Sequence, residues 1–247
     1  HGNIPKLTGG DFKTIPIPLP PLPVQEEIVR ILDNFTELTA ELTAELTAEL
    51  TARKKQYEYY RNSLLSESEL CPNGVEYISL GEILINNNAS DSVSKNDYKE
   101  VGKIPIIDQS QAYIAAYTDN KSAVPPAFPC IIFGDHTRVV KYADKKFAQG
   151  DSGTKVFIPV SDDINAKYIY YAFCNLNIPS RGYNRHWTIV KDITIPLPPL
   201  PVQEEIVRIL DNFTELIAEL TAELTAELTA RKQQYEYYRD NLLNFEK

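Results

Sequence analysis

The stretch IPLPPLPVQEEIVRILDNFTEL occupies Ile17–Leu38 and returns unchanged at Ile195–Leu216. A shift of 178 residues extends the match from Ile17–Leu65 to Ile195–Leu243, broken only at Thr39/Ile217, Lys55/Gln233, Asn62/Asp240 and Ser63/Asn241. Each copy passes through repeats of the unit TAEL, most fully in LTAELTAELTAEL at Leu38–Leu50, and closes on RK-x-QYEYYR. The sequence between the copies is not repeated. The chain is therefore planned as helix, globular domain, helix.

Prolines lack an N–H donor, so IPLPPLP cannot be helical, but Pro23 and Pro201 suit the first turn of a helix. Glu26, Glu27, Glu204 and Glu205 would then lie near the positive end of each helix dipole, and Arg53, Lys54, Lys55, Arg231 and Lys232 towards the other end. Ile28, Ile31, Phe35, Leu38 and Leu42 step by three and four residues, the spacing of one buried stripe. In the TAEL units leucine recurs every four residues, so the stripe advances about 40° per unit and winds slowly round the helix. Two such helices leaving one end of a domain run antiparallel, with the basic end of each facing the acidic start of the other.

No apolar run approaches the ~20 residues that span a bilayer, and the N-terminus has no signal-peptide pattern, so a cytoplasmic protein is expected. The absence of methionine and the start at His1-Gly2 point to a processed tag or a trimmed fragment. Cys71, Cys130 and Cys174 fit no metal-ligand spacing and no disulfide framework; they are read as reduced thiols. The net charge of −9 would argue against a nucleic-acid partner, but it is unevenly spread. Residues 24–70 and 202–247 each carry −5, whereas residues 71–190 carry twelve charges of each sign.

Within that middle region two basic phrases stand out. HTRVVKYADKK holds His136, Thr137, Arg138, Lys141, Lys145 and Lys146, and RGYNRHW holds Arg181, Tyr183, Asn184, Arg185 and His186. Such clusters track phosphates, while Gln109, Gln111, Asn184 and Arg185 are of the types that read purine edges. Trp187 is assigned to the core. YISL, KIPIID, AYIAAY, PCIIFG, TRVVKY and KVFIP read as strands and KYIYYAFC as a helix, giving a mixed α/β domain. GDSG at Gly150–Gly153 has the look of a serine-protease nucleophile segment, but Thr154 follows it and the domain is too small, so it is read as a turn. IPLPPLP would suit an SH3-type groove; a rigid linker into a helix is the simpler reading.

Taken together, IPLPPLPVQEEIVRILDNFTEL, the TAEL units and RK-x-QYEYYR, repeated around one variable domain, resemble the specificity subunit of type I restriction–modification systems. FGDHTR (Phe133–Arg138) and GYNRH (Gly182–His186) resemble phrases of its target recognition domains. The resemblance covers nearly the whole chain. It implies an α+β fold: one mixed α/β target recognition domain flanked by two long helices in an antiparallel coiled-coil hairpin. The expected division is an N-terminal arm (1–23) like the tail of a missing recognition domain, a helix (24–66), the recognition domain (67–190), a Pro-rich linker (191–201) and a second helix (202–247).

The resemblance further implies a non-catalytic reader of double-stranded DNA that assembles with modification and restriction subunits. S-adenosylmethionine, ATP and Mg would be bound only by those partners. The full family pattern has two recognition domains and this chain has one, so a half subunit acting as a homodimer is expected. A coiled-coil scaffold without DNA binding is the alternative, and an enzyme of another class the third reading.

Overall fold

The structure is a computed structural model that describes residues 17–66, 75–182 and 184–244. It divides the chain into two compact units, one ending at Arg53 and resuming at Leu216, the other running from Lys54 to Glu215. Two helices of equal length contribute to both: α1 (Leu22–Leu64) and the last helix of the chain, α5 (Leu200–Leu242), 43 residues each and about 65 Å long at ~1.5 Å per residue.

Both helices begin slightly before the expected point. Pro23 and Pro201 fall in the first turn, but the glutamates fall beyond it, where the dipole effect has faded. Glu27 and Glu205 instead pair with Arg30 and Arg208 three residues on, at 2.6 Å in both cases. The basic ends are engaged in the same local way, Arg53 with Glu49 (2.8 Å) and Arg231 with Glu227 (2.9 Å). These exposed pairs complement charge along each helix. The TAEL threonines bond back to the carbonyl four residues earlier, as in Thr43 to Thr39 and Thr225 to Thr221, so their hydroxyls are spent on their own helix.

Within the first unit Phe35 stacks on Tyr238, with ring centroids 4.8 Å apart. Within the second unit Tyr60 stacks on Phe213 at 5.1 Å. The two stacks are copies of one another, because Phe35 repeats as Phe213 and Tyr60 as Tyr238.

The second unit carries the sheets. β1 (Glu76–Ser79) leads through a single helical turn, α2 (Leu80–Ile83), into β2 (Leu84–Asn86), followed by β3 (Ile104–Ile107) and β4 (Ala116–Thr118). Next come β5 (Cys130–Gly134), β6 (Val140–Ala143), β7 (Ala148–Gln149) and β8 (Thr154–Pro159). Helix α3 (Ala166–Cys174), the turn α4 (Trp187–Val190) and β9 (Thr194–Leu197) lead into α5. An antiparallel sheet runs β2-β8-β5-β6, a second runs β4-β3-β7 with β3 and β7 parallel, and β1 pairs with β9.

β5 is buried along its whole length and its side chains alternate between two cores. Ile131 and Phe133 face α3, where Phe133 stacks on Phe173 (5.1 Å); Cys130 and Ile132 face Ile107, Phe147 and Val156. Trp187 lies against Phe157 at 4.2 Å, a core residue as the sequence reading assigned it. Burial pushes the Cys130 thiol up to about 12. The expected linker 191–201 contains a strand: Thr194–Leu197 pairs with β1, Pro196 opposite Tyr77. A proline is tolerated there because β9 has a single partner strand and a free edge.

Candidate nucleic-acid interface

Four loops of the second unit converge at one end of β5. They are the β5–β6 turn, the segment after β3, the turn between β7 and β8, and the segment leading into α4. The two basic phrases meet through Asp135, which is 3% exposed. Its carboxylate accepts from Trp187 N (2.8 Å) and lies 3.6 Å from Lys155 Nζ. Its carbonyl accepts from the backbone N of His186 (2.9 Å) and faces the ring Nδ1 at 2.9 Å, while its own N–H donates to Gly153 O (2.8 Å). His186 Nε2 accepts from Arg181 N at 3.2 Å, and Nδ1 on the other side of the ring faces the Asp135 carbonyl.

The β5–β6 turn is tight. Arg138 N donates to Gly134 O (2.7 Å), and Arg138 sits at φ 63°, in the left-handed region. Its guanidinium donates to Ile178 O (2.8 Å). Beside it opens a cleft of 460 Å³ whose walls include Gln111, Thr137, Arg138 and Asn177 on the polar side and Val140 and Phe173 on the apolar side. The Gly150–Gly153 stretch is also a tight turn: Thr154 N donates to Asp151 O (3.0 Å) and Asp151 has φ 51°.

Gln111, Thr137, Arg138, Arg181, Asn184 and Arg185 are exposed around this loop cluster, and His136 is half-buried. Asn184 also caps its own loop, donating to Arg181 O (2.6 Å). Tyr183 lies outside the described residues. Three residues expected to touch DNA are instead interior. His186 is fully buried by the bonds above. Lys141, 6% exposed, donates Nζ to Asp108 O (2.7 Å) and to Ala112 O, spanning the segment after β3. Gln109 is buried between the loops. Lys145 and Lys146 are exposed but lie past the far end of β6, because Ala143 pairs with Cys130 at the opposite end of β5 from the turn. The strand therefore splits the HTRVVKYADKK patch.

Carboxylates that the sequence reading did not single out support the cluster. Asp108 accepts from Tyr98 OH (3.0 Å) and Ser110 N (2.9 Å); burial raises its pKa, but these bonds and Lys141 outweigh it and hold the carboxyl below its ordinary value. Burial likewise lowers the pKa of Lys141, opposed by Asp108. Asp151 is depressed in net terms, since its bonds from Gln109 and Gly153 and the nearby Lys95 (3.5 Å) outweigh burial. The Gly-Asp dipeptides at 134–135 and 150–151 were the available signal: each marks a turn where a carboxylate organises its neighbours.

Among the described residues no helix is long and apolar enough to cross a membrane. The family described as type I restriction modification DNA specificity domain matches residues 1–52 and 72–230. The chain is 36% identical over 271 residues to the specificity subunit of the type I restriction enzyme EcoR124I/EcoR124II of Escherichia coli, covering 95% of this chain and 64% of that protein. It is 30% identical to a putative type I specificity subunit of Mycoplasma pneumoniae, S.MpnORF201P, across 94% of this chain and 96% of that protein. The crystal structure of a type I restriction–modification S subunit from M. genitalium superposes with a TM-score of 0.61 at 17% identity, covering 92% of this chain and 62% of that one, which establishes a shared fold. The chain spans about two thirds of the length of the E. coli relative. With the repeated helices, the loop cluster and the family match in agreement, the chain belongs to the type I restriction–modification DNA specificity family.

Proposed function

We propose that the chain reads one half of a split DNA target and scaffolds the modification and restriction subunits, itself without catalytic residues or cofactor. The observation that carries this reading is the gathering of exposed Gln111, Arg138, Arg181, Asn184 and Arg185 around one loop cluster of a specificity-family domain. Arginine neutralises phosphate and reads guanine, while Gln and Asn read adenine. S-adenosylmethionine, ATP and Mg belong, on this reading, to the partner subunits. Duplexes selected by the full-length chain from random sequence, titrated over a salt series, test it. Arg138→Ala or Arg185→Ala should reduce the salt slope by about one unit if the contact is to phosphate, or relax one base position by about 1–3 kcal/mol. Unchanged affinity and specificity in both variants would move the site elsewhere.

The helices are read as an antiparallel coiled-coil hairpin, supported by a ring stack between α1 and α5 within each unit, formed by repeat-equivalent residues. Two copies of the chain would restore a two-domain reader of a gapped palindrome. Exposed Ile17, Leu19, Leu22, Val29 and Leu38 on the first copy support association; a strict monomer in sedimentation, alone and with DNA and the modification subunit, would rule it out. The TAEL units then act as spacers. Each adds about 6 Å of helix against about 3.4 Å per base pair. Deleting Thr43–Leu46 together with Thr221–Leu224 should shorten the gap by nearly two base pairs and leave each half-site unchanged, as methylation mapping with the modification subunit would read.

A further inference from the structure

Three of the four loops meet at Gln109. Its Nε2 donates to Asp151 Oδ2 (3.1 Å), its Oε1 accepts from His136 N (3.3 Å), and its backbone carbonyl accepts from Thr137 Oγ1 (2.6 Å). Glycines make room for it. A Cβ on Gly153 would stand 2.5 Å from Gln109 Nε2, and one on Gly134 would stand 2.8 Å from Gln109 Cβ. The segment carrying Gln109 is itself fixed by Lys141, which bonds the carbonyls of Asp108 and Ala112 on either side of it.

Among the described residues, Arg138 and Asp151 are the non-glycine residues with positive φ. Each sits in a turn that Gln109 holds. The left-handed region is strained for a side chain such as arginine and uncommon even for aspartate, so both turns gain from outside support. Gln109 supplies it by bonding the Asp151 carboxylate in one turn and His136 N and Thr137 Oγ1 in the other.

We propose that Gln109 is a positioning residue for target recognition. It touches no base; it locks the two left-handed turns together so that Thr137, Arg138 and the neighbouring Gln111 form one preorganised surface. This rests on the reading of the domain as a DNA reader. Without the lock, the arginine is still available to phosphate, but the surface is no longer fixed in the geometry that distinguishes sequences. Gln109 should therefore govern discrimination while leaving the number of phosphate contacts unaltered.

The test uses the full-length chain and compares affinity for a selected duplex and a scrambled one over a salt series. Gln109→Glu removes the donor and sets two carboxylates against each other. In the double variant Gln109→Glu/Asp151→Asn the bond returns with its direction reversed, and asparagine accepts the left-handed region at position 151. The single variant should lower the selected-to-scrambled affinity ratio by about tenfold, the loss expected when one base contact is misplaced, with the salt slope unchanged. The double variant should recover the wild-type ratio. A wild-type ratio in a folded single variant overturns the proposal, as does a uniform loss of affinity with a slope lower by about one unit, which would make Gln109 a phosphate contact. If the single variant does not fold, the double decides: folded with discrimination supports the lock, folded without it overturns it. A wild-type chain that selects no sequence refutes DNA reading itself, a separate and recognisable failure.

Discussion

Gln25, Ile28, Leu32 and Asp33 at the start of α1 are the same four residues as Gln203, Ile206, Leu210 and Asp211 at the start of α5, yet the two sets live differently. On α5, Leu210 is fully buried, Ile206 is 3% exposed and Gln203 1%. Gln203 accepts from Asn165 N (2.8 Å) and donates to Pro198 O (2.7 Å) and Asp163 O (3.3 Å). Asp211 accepts from Lys167 Nζ (2.7 Å) and Tyr171 OH. On α1, Gln25 keeps the proline bond, to Pro20 O (2.7 Å), but Gln25 and Leu32 are only half-buried and Val29 is 56% exposed. An identical segment is thus a domain socket in one place and a more open helix face in the other. Among the described residues, the same side chains are enclosed on α5 and half-open on α1, with the isoleucine buried in both copies, Ile28 as Ile206 is.

Paired substitutions put that difference into numbers. Leu210→Ala should cost about 2–5 kcal/mol, as cavities in closed cores do, while Leu32→Ala should cost about 1 kcal/mol, because a half-buried leucine has less area to lose. Denaturant unfolding of both variants measures the contrast, and equal losses would mean that α1 is as fully packed as α5. Gln203→Ala leaves Asn165 N without its acceptor and Pro198 O and Asp163 O without their donor, for about 1–3 kcal/mol; Gln25→Ala loses one accessible bond and should fall near the low end of about 0.5–1.5 kcal/mol. If two copies of the chain associate through the first segment, the costs at Leu32 and Gln25 should rise towards those at Leu210 and Gln203 as protein concentration increases.

Asp151 sharpens the contrast from the loop side, where bonds rather than apolar area hold the structure. Its folded pKa is depressed, so the stability it contributes is present above the ordinary value of 3.8 and is lost as pH falls through the folded one. Asp151→Asn should accordingly melt below the wild type at neutral pH, with the two curves converging below about pH 4. The smallest effect is expected where the copies are alike. Arg30→Ala and Arg208→Ala each break a solvent-exposed pair whose glutamate is held below its ordinary pKa by the arginine's hydrogen bonds. Their melting temperatures should shift equally and slightly, and the shift should fade with salt; a larger loss at either arginine would show that its pair has a further partner.

The helices were legible because their signals are local: proline stops, a three-and-four apolar step, and a repeat that declares itself. The strands of β5 and β8 were legible for the same reason. The loop cluster was half legible. Arg138, Arg181 and Arg185 were found by charge, but charge gives no burial, and so Lys141 and His186 were placed on a surface from which their bonds to Asp108, Ala112, Arg181 and Asp135 withdraw them. The donor and acceptor of the Gln109 side chain suit a purine edge, which is all the sequence can show; enclosed between Gly134 and Gly153, those groups bond Asp151 and His136. The strand β9 was missed because two prolines mask a partner that lies more than a hundred residues away.

By itself the sequence determined the duplicated helices, their proline-bounded starts, the four-residue step, the uneven charge and the family resemblance, all of which follow from near-neighbour periodicity and composition. Only the tertiary structure decided that the α5 copy of the segment packs against the domain, which basic side chains face water, and that the two left-handed turns share Gln109. Burial and hydrogen-bond partnership depend on residues distant in the chain, and a desolvated polar group is stable only where those distant partners converge on it.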